Sequence, residues 1–231
     1  MSPIRNNRVQ LFRERSYFVI SAFLDPLELR ELRRLGDGVL ERTRASSSES
    51  GHTSPSVSLL ADTDYFAERP AALERLMAIF ASARVCELLD GLSSADEVRT
   101  PRLKRVDYFH EQTRHDWDGD WHRDSQFTEQ EPLRERSLVL GTTALHFRVA
   151  LEHDDRLEIV EGSHRRWDTD EELRIRKGAQ RTSAAMPHAT RVALRAGDAC
   201  VFHAWSIHRA TYQRSPIRRT LDASFVFGRR L

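Results

Sequence analysis

His122 and Asp124, in the stretch Asp118-Gly119-Asp120-Trp121-His122-Arg123-Asp124-Ser125, set an imidazole and a carboxylate two positions apart. On a strand, side chains at i and i+2 point to the same face, so such a pair can grip one metal ion. A third ligand is available from His208, which follows the turn Gly197-Asp198 later in the chain. Two imidazoles and one carboxylate form the facial set that holds ferrous iron and leaves three coordination positions open. Chemistry at such a centre is oxygenase chemistry. By itself a His-x-Asp pair is weak, because a chain with 10 histidines produces it by chance.

The elements that must position these residues follow from the pattern. Phe18-Val19-Ile20 predicts a short strand. Asp25-Pro26-Leu27-Glu28 then starts a helix, with a carboxylate at the N-cap, proline at the first position and Glu28 at the capping-box site. Its apolar face runs to about Leu40. The serine-rich stretch 45–58 predicts a surface loop. Helical spacing recurs from Ala71 to Leu92 and closes near Gly91. After Pro101 the texture changes to short β-prone runs: Leu103 to Phe109, Leu138 to Leu140, Ala144 to Leu151, Leu157 to Val160, Arg191 to Leu194, Cys200 to Phe202 and Leu221 to Phe227. Helices followed by many strands predict an α+β chain with an antiparallel jelly-roll core. We expect a single domain over 1–231, mainly helical in 1–100 and β-rich in 101–231.

Composition narrows the function classes. Thirty-six basic and 35 acidic residues leave a net charge of +1, which gives no signal for nucleic acid or an anionic membrane. Lys104 and Lys177 are the only lysines, so arginine is this chain's ordinary cation. Cys86 and Cys200 lie in apolar surroundings without metal or redox spacing and read as buried thiols. The beginning of the chain has no apolar signal-peptide core and no run approaches ~18 apolar residues, so a soluble cytoplasmic protein is expected.

In order along the chain, Trp121-His122-Arg123-Asp124, Gly162-Ser163-His164-Arg165, the Gly197-Asp198 turn leading to His208, and Arg218-Arg219 resemble the phytanoyl-CoA dioxygenase-like family. Phe12 to Leu35 also looks like that family's opening strand and helix. The resemblance implies a double-stranded β-helix, a cupin-like jelly roll with N-terminal helices packed on one sheet. It further implies Fe(II) held by His122, Asp124 and His208, with 2-oxoglutarate chelating the iron. The expected reaction is hydroxylation of an unactivated C–H bond of a small molecule by dioxygen, with succinate and carbon dioxide as coproducts. Secondary metabolism is the expected setting.

The far carboxylate of 2-oxoglutarate needs a buried cation, and a guanidinium grips a carboxylate with two parallel bonds. Arg218 and Arg219 are the candidates, and alternation allows only one to face inward. Thr220 stands two residues after Arg218 and can add a hydroxyl, which favours Arg218. Ser125 follows the ligand pair closely enough to touch the cosubstrate. His203 sits at odd spacing from His208, His164 is expected to anchor its turn, and the other histidines, His146 included, show no ligand pattern. Arg148, Arg102 and Lys104 are candidates for an anionic substrate, against the plainer expectation that strand arginines face solvent. Phe127 and Trp205 are candidate pocket walls, although aromatics near a site are more often core.

Two departures touch only loops: Glu161 replaces the family's proline before Gly162, and the turn 152–156 lacks its Asn-Gly. Asp124 is retained, and related halogenases replace this carboxylate with a small residue, so an oxidative outcome is favoured over halogenation. The rival readings are a non-catalytic metal-binding jelly roll, which would close the metal with a fourth ligand such as His203 or His110, and desaturation, cyclisation or epimerisation at the same centre.

Overall fold

A computed structural model describes residues 3–50, 57–60, 64–94, 96–98, 100–110, 117–178, 184–212 and 218–228. A helical N-terminal part leads into two antiparallel sheets. The larger sheet runs β1 (Tyr17–Ile20), β8 (Ala199–His203), β5 (Ala144–Ala150), β10 (Arg219–Val226), β3 (Arg102–His110) and β2 (Val57–Leu59). The smaller one runs β4 (Trp117–Asp118), β9 (His208–Tyr212), β6 (Asp154–Val160) and β7 (Ala189–Leu194). From β3 onward the strands are dealt between the two sheets, β3, β5, β8 and β10 to one and β4, β6, β7 and β9 to the other. That interleaving is the jelly-roll arrangement, and the sheets face each other as two layers rather than closing into a barrel.

Alternation divides the residues of each large-sheet strand between two environments. Leu145, Phe147 and Val149 of β5, Val201 of β8 and Leu221, Ala223 and Phe225 of β10 pack outward against the helices α1 (Pro3–Arg15), α2 (Pro26–Ser50), α4 (Pro70–Phe80) and α5 (Ala83–Leu89). Phe147 is fully buried with Phe23 and Phe80 at 4.9 and 6.2 Å, both edge-on. Truncating it to alanine is expected to cost about 3–5 kcal/mol. The opposite face of the same strands looks into the space between the sheets. At one end that space is apolar, with Ala150, Cys200 and Phe202 meeting Leu157, Ile159, Val192 and Leu194. At the other end it is polar, and there the candidate site lies.

Most predicted elements appear where expected. Asp25 caps α2 by accepting from the amides of Leu27 and Glu28 (2.7 and 2.8 Å), and Glu28 reaches back to the Asp25 amide (3.0 Å). Gly91, at φ +84°, follows the end of α5 in the left-handed conformation that glycine adopts freely. Three expectations need correction. The loop expected over 45–58 is helical backbone through Ser50 and a strand from Val57, with 51–56 outside the described residues. The physical reason is that no glycine or proline interrupts the chain between Leu40 and Gly51, and serine alone does not stop a helix. The run Leu138–Leu140 lies in α7 (Pro132–Gly141), because Pro132 starts a helix and Glu131 caps it by accepting from the amides of Leu133 and Arg134. Finally, α1, β2, α3 (Asp64–Ala67), β4, the helical turn Ser125–Thr128 and α8 (Asp170–Lys177) were not predicted.

Candidate metal centre

His122 and His208 meet as a cross-strand pair at the rim of the small sheet. His122 N–H donates to the His208 carbonyl at 3.0 Å and His208 N–H to the His122 carbonyl at 2.9 Å. Asp124 is not on a strand. It stands in helical conformation (φ −64°, ψ −21°) at the start of a single helical turn, α6 (Ser125–Thr128), and its amide donates to Ala204 O at 3.1 Å. Strand alternation therefore does not bring His122 and Asp124 together; the turn into α6 does. Asp124 Oδ1 lies 3.5 Å from His122 Nε2 and 3.6 Å from His208 Nε2. One donor atom from each residue falls within 4.8 Å of the others, close enough to share an ion.

The tautomers suit a metal. His122 Nδ1 is 2.7 Å from Asp120 O, and His208 Nδ1 is 2.9 Å from Ser206 O. A backbone carbonyl only accepts, so Nδ1 carries the proton in each ring and Nε2 presents its lone pair to the shared space. Burial, followed by repulsion from His122, holds the His208 imidazole neutral with a pKa down to about 3. Asp124 remains ionised: burial would raise its pKa, but His146, His208 and His122 together push it well below the usual carboxylate range.

Behind Asp124 stands a polar chain formed by the inward residues of β5 and β10. His146 Nε2 donates to Asp124 Oδ2 at 2.7 Å, His146 Nδ1 donates to Asp222 Oδ1 at 2.6 Å, and Arg148 Nε donates to Asp222 Oδ2 at 2.8 Å. The ring of His146 stacks on Phe202 at 4.7 Å and 14°. Burial alone would lower the pKa of His146, but the two carboxylates, Asp222 first, raise it to about 10. Both ring nitrogens are then donors, and the four charges cancel in pairs.

An open cavity of about 910 Å³ adjoins the three ligands. Its wall includes Phe109, Phe127, Arg148, Leu157 and Trp205, with Lys104 and Arg105 as cations; the Phe127 ring lies 5.5 Å from the ring of His122. Arg218 is buried at 2% exposure, with Nε 3.4 Å from Asp154 Oδ2 and its guanidinium carbon 5.3 Å from the centre of the Phe109 ring. Arg219 instead pairs with Asp37 of α2 on the helical side. Thr220, two residues from Arg218 on the same face, is fully buried, and its hydroxyl has no hydrogen-bond partner among the described residues. A buried guanidinium beside an unused hydroxyl fits a carboxylate brought in by a small molecule.

Arg123, between the two ligands, points the opposite way and is fully buried. Its Nε donates to Asp168 (2.8 Å), and its Nη1 donates to Ser163 O (2.9 Å) and to Trp205 O. Asp168 also accepts from Arg176 (2.9 Å), which reaches Glu135 (3.0 Å), which accepts from Ser125 Oγ (3.0 Å). This network ties the His122–Ser125 segment to α7, to α8 and to the loop that delivers His208. Ser163 Oγ completes the tie by donating to Val160 O (2.7 Å) and accepting from Ile207 N (2.9 Å).

His122, Asp124 and His208 thus gather on one cavity wall; Arg218 and Thr220 do not line that cavity themselves but lie buried beside Phe109, which does, whereas Arg219 pairs with Asp37 of α2. Ser125, expected at the cosubstrate, spends its hydroxyl on Glu135 and is not part of the cavity wall. The turn around His164 is hydrogen-bonded through Ser163, while His164 packs by its ring against Phe12 and His203. His52 and His115 lie outside the described residues. Trp205 and Phe127 line the cavity, while Trp121 is core, its Nε1 donating to Ala184 O at 2.9 Å. His146, Arg148 and Asp222 are the polar residues that sequence reasoning did not connect. The signal was present: His146 and Arg148 are the two polar residues, two positions apart, in the otherwise apolar run Ala144–Ala150.

An interleaved two-sheet jelly roll with a two-histidine, one-carboxylate cluster at its polar end defines the fold class of the Fe(II)/2-oxoglutarate oxygenases. A family model for phytanoyl-CoA dioxygenase (PhyH) matches residues 12–221, and the chain belongs to that family. Among solved structures it is similar to EctD from S. alaskensis with bound Fe (TM-score 0.64, 16% identity, covering 98% of this chain and 76% of that one). It is also similar to the non-heme alpha ketoglutarate dependent epimerase SnoN from nogalamycin biosynthesis (0.63, 18%, 96% and 83%). A third is the carbocyclase SnoK from the same biosynthesis (0.61, 17%, 98% and 84%). At these identities the likeness is one of fold. No curated protein sequence matches the chain.

Proposed function

We propose that this protein is an Fe(II)- and 2-oxoglutarate-dependent oxygenase that hydroxylates an unactivated C–H bond of a small molecule. The observation that carries the reading is the convergence of one donor atom each from His122, Asp124 and His208 within 4.8 Å on the wall of a cavity of about 910 Å³. Iron and 2-oxoglutarate, when bound, supply the oxidising chemistry that no side chain provides, with dioxygen as oxidant and succinate and carbon dioxide as coproducts.

The residues divide the remaining work. His122, Asp124 and His208 hold the metal through three donors and leave the other positions to cosubstrate and dioxygen. Arg218, with Thr220, takes the far carboxylate of 2-oxoglutarate in a buried setting where a guanidinium stays charged. Arg123 and the ions around it keep the ligand loops in place. The apolar walls contributed by Phe109, Leu157 and Trp205 seat a bulky substrate and limit water near the metal. A cavity of this size suits a natural product of the kind handled in secondary metabolism.

His110 and His203 stand away from the ligand cluster, on the helix-packed side of the large sheet, which favours an open catalytic centre over a closed structural one. Asp124 favours oxidation over halogenation. Two of the structural neighbours are an epimerase and a carbocyclase, so epimerisation or ring closure at the same centre is the second reading. The test is anaerobic addition of Fe(II) and 2-oxoglutarate to the purified protein, which should produce a visible metal-to-ligand band, followed by succinate release on exposure to air. Product mass then separates the reactions: one added oxygen for hydroxylation, two hydrogens lost for ring closure, and no change for epimerisation. Absence of both band and succinate would overturn the proposal.

A further inference from the structure

We propose that His146 is a positioning residue that makes Asp124 bind its metal through one oxygen only. The inference rests on the iron reading above and concerns how that centre keeps enough positions open. Asp124 Oδ1 faces both metal-directed nitrogens, at 3.5 and 3.6 Å, while Oδ2 is turned away and accepts from His146 Nε2 at 2.7 Å. A carboxylate with both oxygens available can coordinate through both. At a six-position iron that would leave two positions where cosubstrate and dioxygen together need three. A hydrogen bond committed to Oδ2 excludes that mode.

His146 is built to hold still. Asp222 accepts from its Nδ1 at 2.6 Å, Phe202 stacks on its face, and Arg148, directly opposite Asp222 in the strand register, fixes Asp222 in turn. Three strands, β5, β8 and β10, thus converge on one side chain. Both ring nitrogens have a defined task, and the two tasks can be separated by substitution. The amide nitrogen of glutamine reaches about as far as Nε2, toward Asp124, whereas that of asparagine reaches about as far as Nδ1, toward Asp222.

The experiment is a titration of the full-length protein with Co(II), in wild type, His146→Gln and His146→Asn, with Asp124→Ala as the control for the metal site. Affinity is read by chelator competition, coordination from the visible Co(II) bands, and folding of each variant by circular dichroism. His146→Gln is expected to stay within a few-fold of wild-type affinity and to keep its band shape. His146→Asn is expected to lose roughly 10- to 100-fold in affinity, the usual effect of removing an outer-shell partner, and to change band shape. Equal behaviour of the two variants, or a His146→Asn band shape unchanged from wild type, would overturn the proposal and assign His146 to Asp222 and the fold. Wild-type Co(II) binding that survives Asp124→Ala would mean the cluster is not the metal site, which removes the iron reading and this inference with it.

Discussion

His122 and His208 exchange backbone hydrogen bonds in both directions, at 3.0 and 2.9 Å, and their ring centres lie 4.3 Å apart. The second metal ligand is therefore delivered by strand register. A slip of one residue would turn His208 to the opposite face and leave Ile207 or Arg209 in its place.

Gly119 guards that register. Its amide donates to Ala210 O at 2.9 Å, and an added Cβ would fall inside van der Waals contact of the same oxygen. Gly119→Ala is expected to push β4 from β9 at a cost of about 1–3 kcal/mol. Urea unfolding reads the loss, and Co(II) titration should show weakened binding, because the strain falls three residues from His122 and two from His208.

The two adjacent arginines should separate cleanly. Arg218→Met is expected to weaken 2-oxoglutarate binding by about 1.5–3 kcal/mol, roughly one to two powers of ten, as the loss of a charged hydrogen-bonding partner. Arg219→Met removes a pair with Asp37 near the surface worth no more than about 1 kcal/mol and should leave cosubstrate affinity unchanged. Titration of the visible Fe(II) band with 2-oxoglutarate compares them. Equal losses would refute the assignment of Arg218.

Arg123→Met should destabilise more than any surface change, because it strands the Asp168 carboxylate, fully buried, beside Arg176 alone. Removing one partner of a buried ionic network costs about 3–5 kcal/mol. The urea midpoint should fall accordingly.

Acid should weaken the fold through His164. Burial, with Arg165 and Arg123 nearby, lowers its pKa from 6.5 to about 4. Below pH 6.5 the unfolded chain takes up a proton that the folded His164 refuses, so stability falls from pH 6.5 down to about pH 4. The loss approaches about 3 kcal/mol at roughly 1.4 kcal/mol per unit. His203 is shifted in the same direction by burial. His164→Leu should flatten this limb, seen as a smaller drop in urea midpoint between pH 6.5 and 4.

Metal should stabilise the protein in proportion to occupancy. At a free Co(II) concentration ~100 times Kd the expected gain is about 2.7 kcal/mol, reversed by EDTA. Thermal unfolding with and without metal reads it, and Asp124→Ala should abolish the difference.

Local rules made much of this protein legible from its residues. Asp25 and Pro26 start a helix because cap and proline chemistry act within one turn, and the β-prone runs after Pro101 announce a sheet core because alternation is a short-range pattern. The ordered motifs around His122, Asp124, His208 and Arg218 pointed to an iron site for the same reason. What short-range rules cannot carry is register and facing. Only the folded sheets put Arg218 inside and Arg219 against Asp37, and only the turn into α6 brings Asp124 to His122. His146 reads as one more core histidine in its own strand. It becomes the partner of Asp124 because β5 and β10 pair so that its inward face meets Asp222, residues that sequence separates and hydrogen bonding joins.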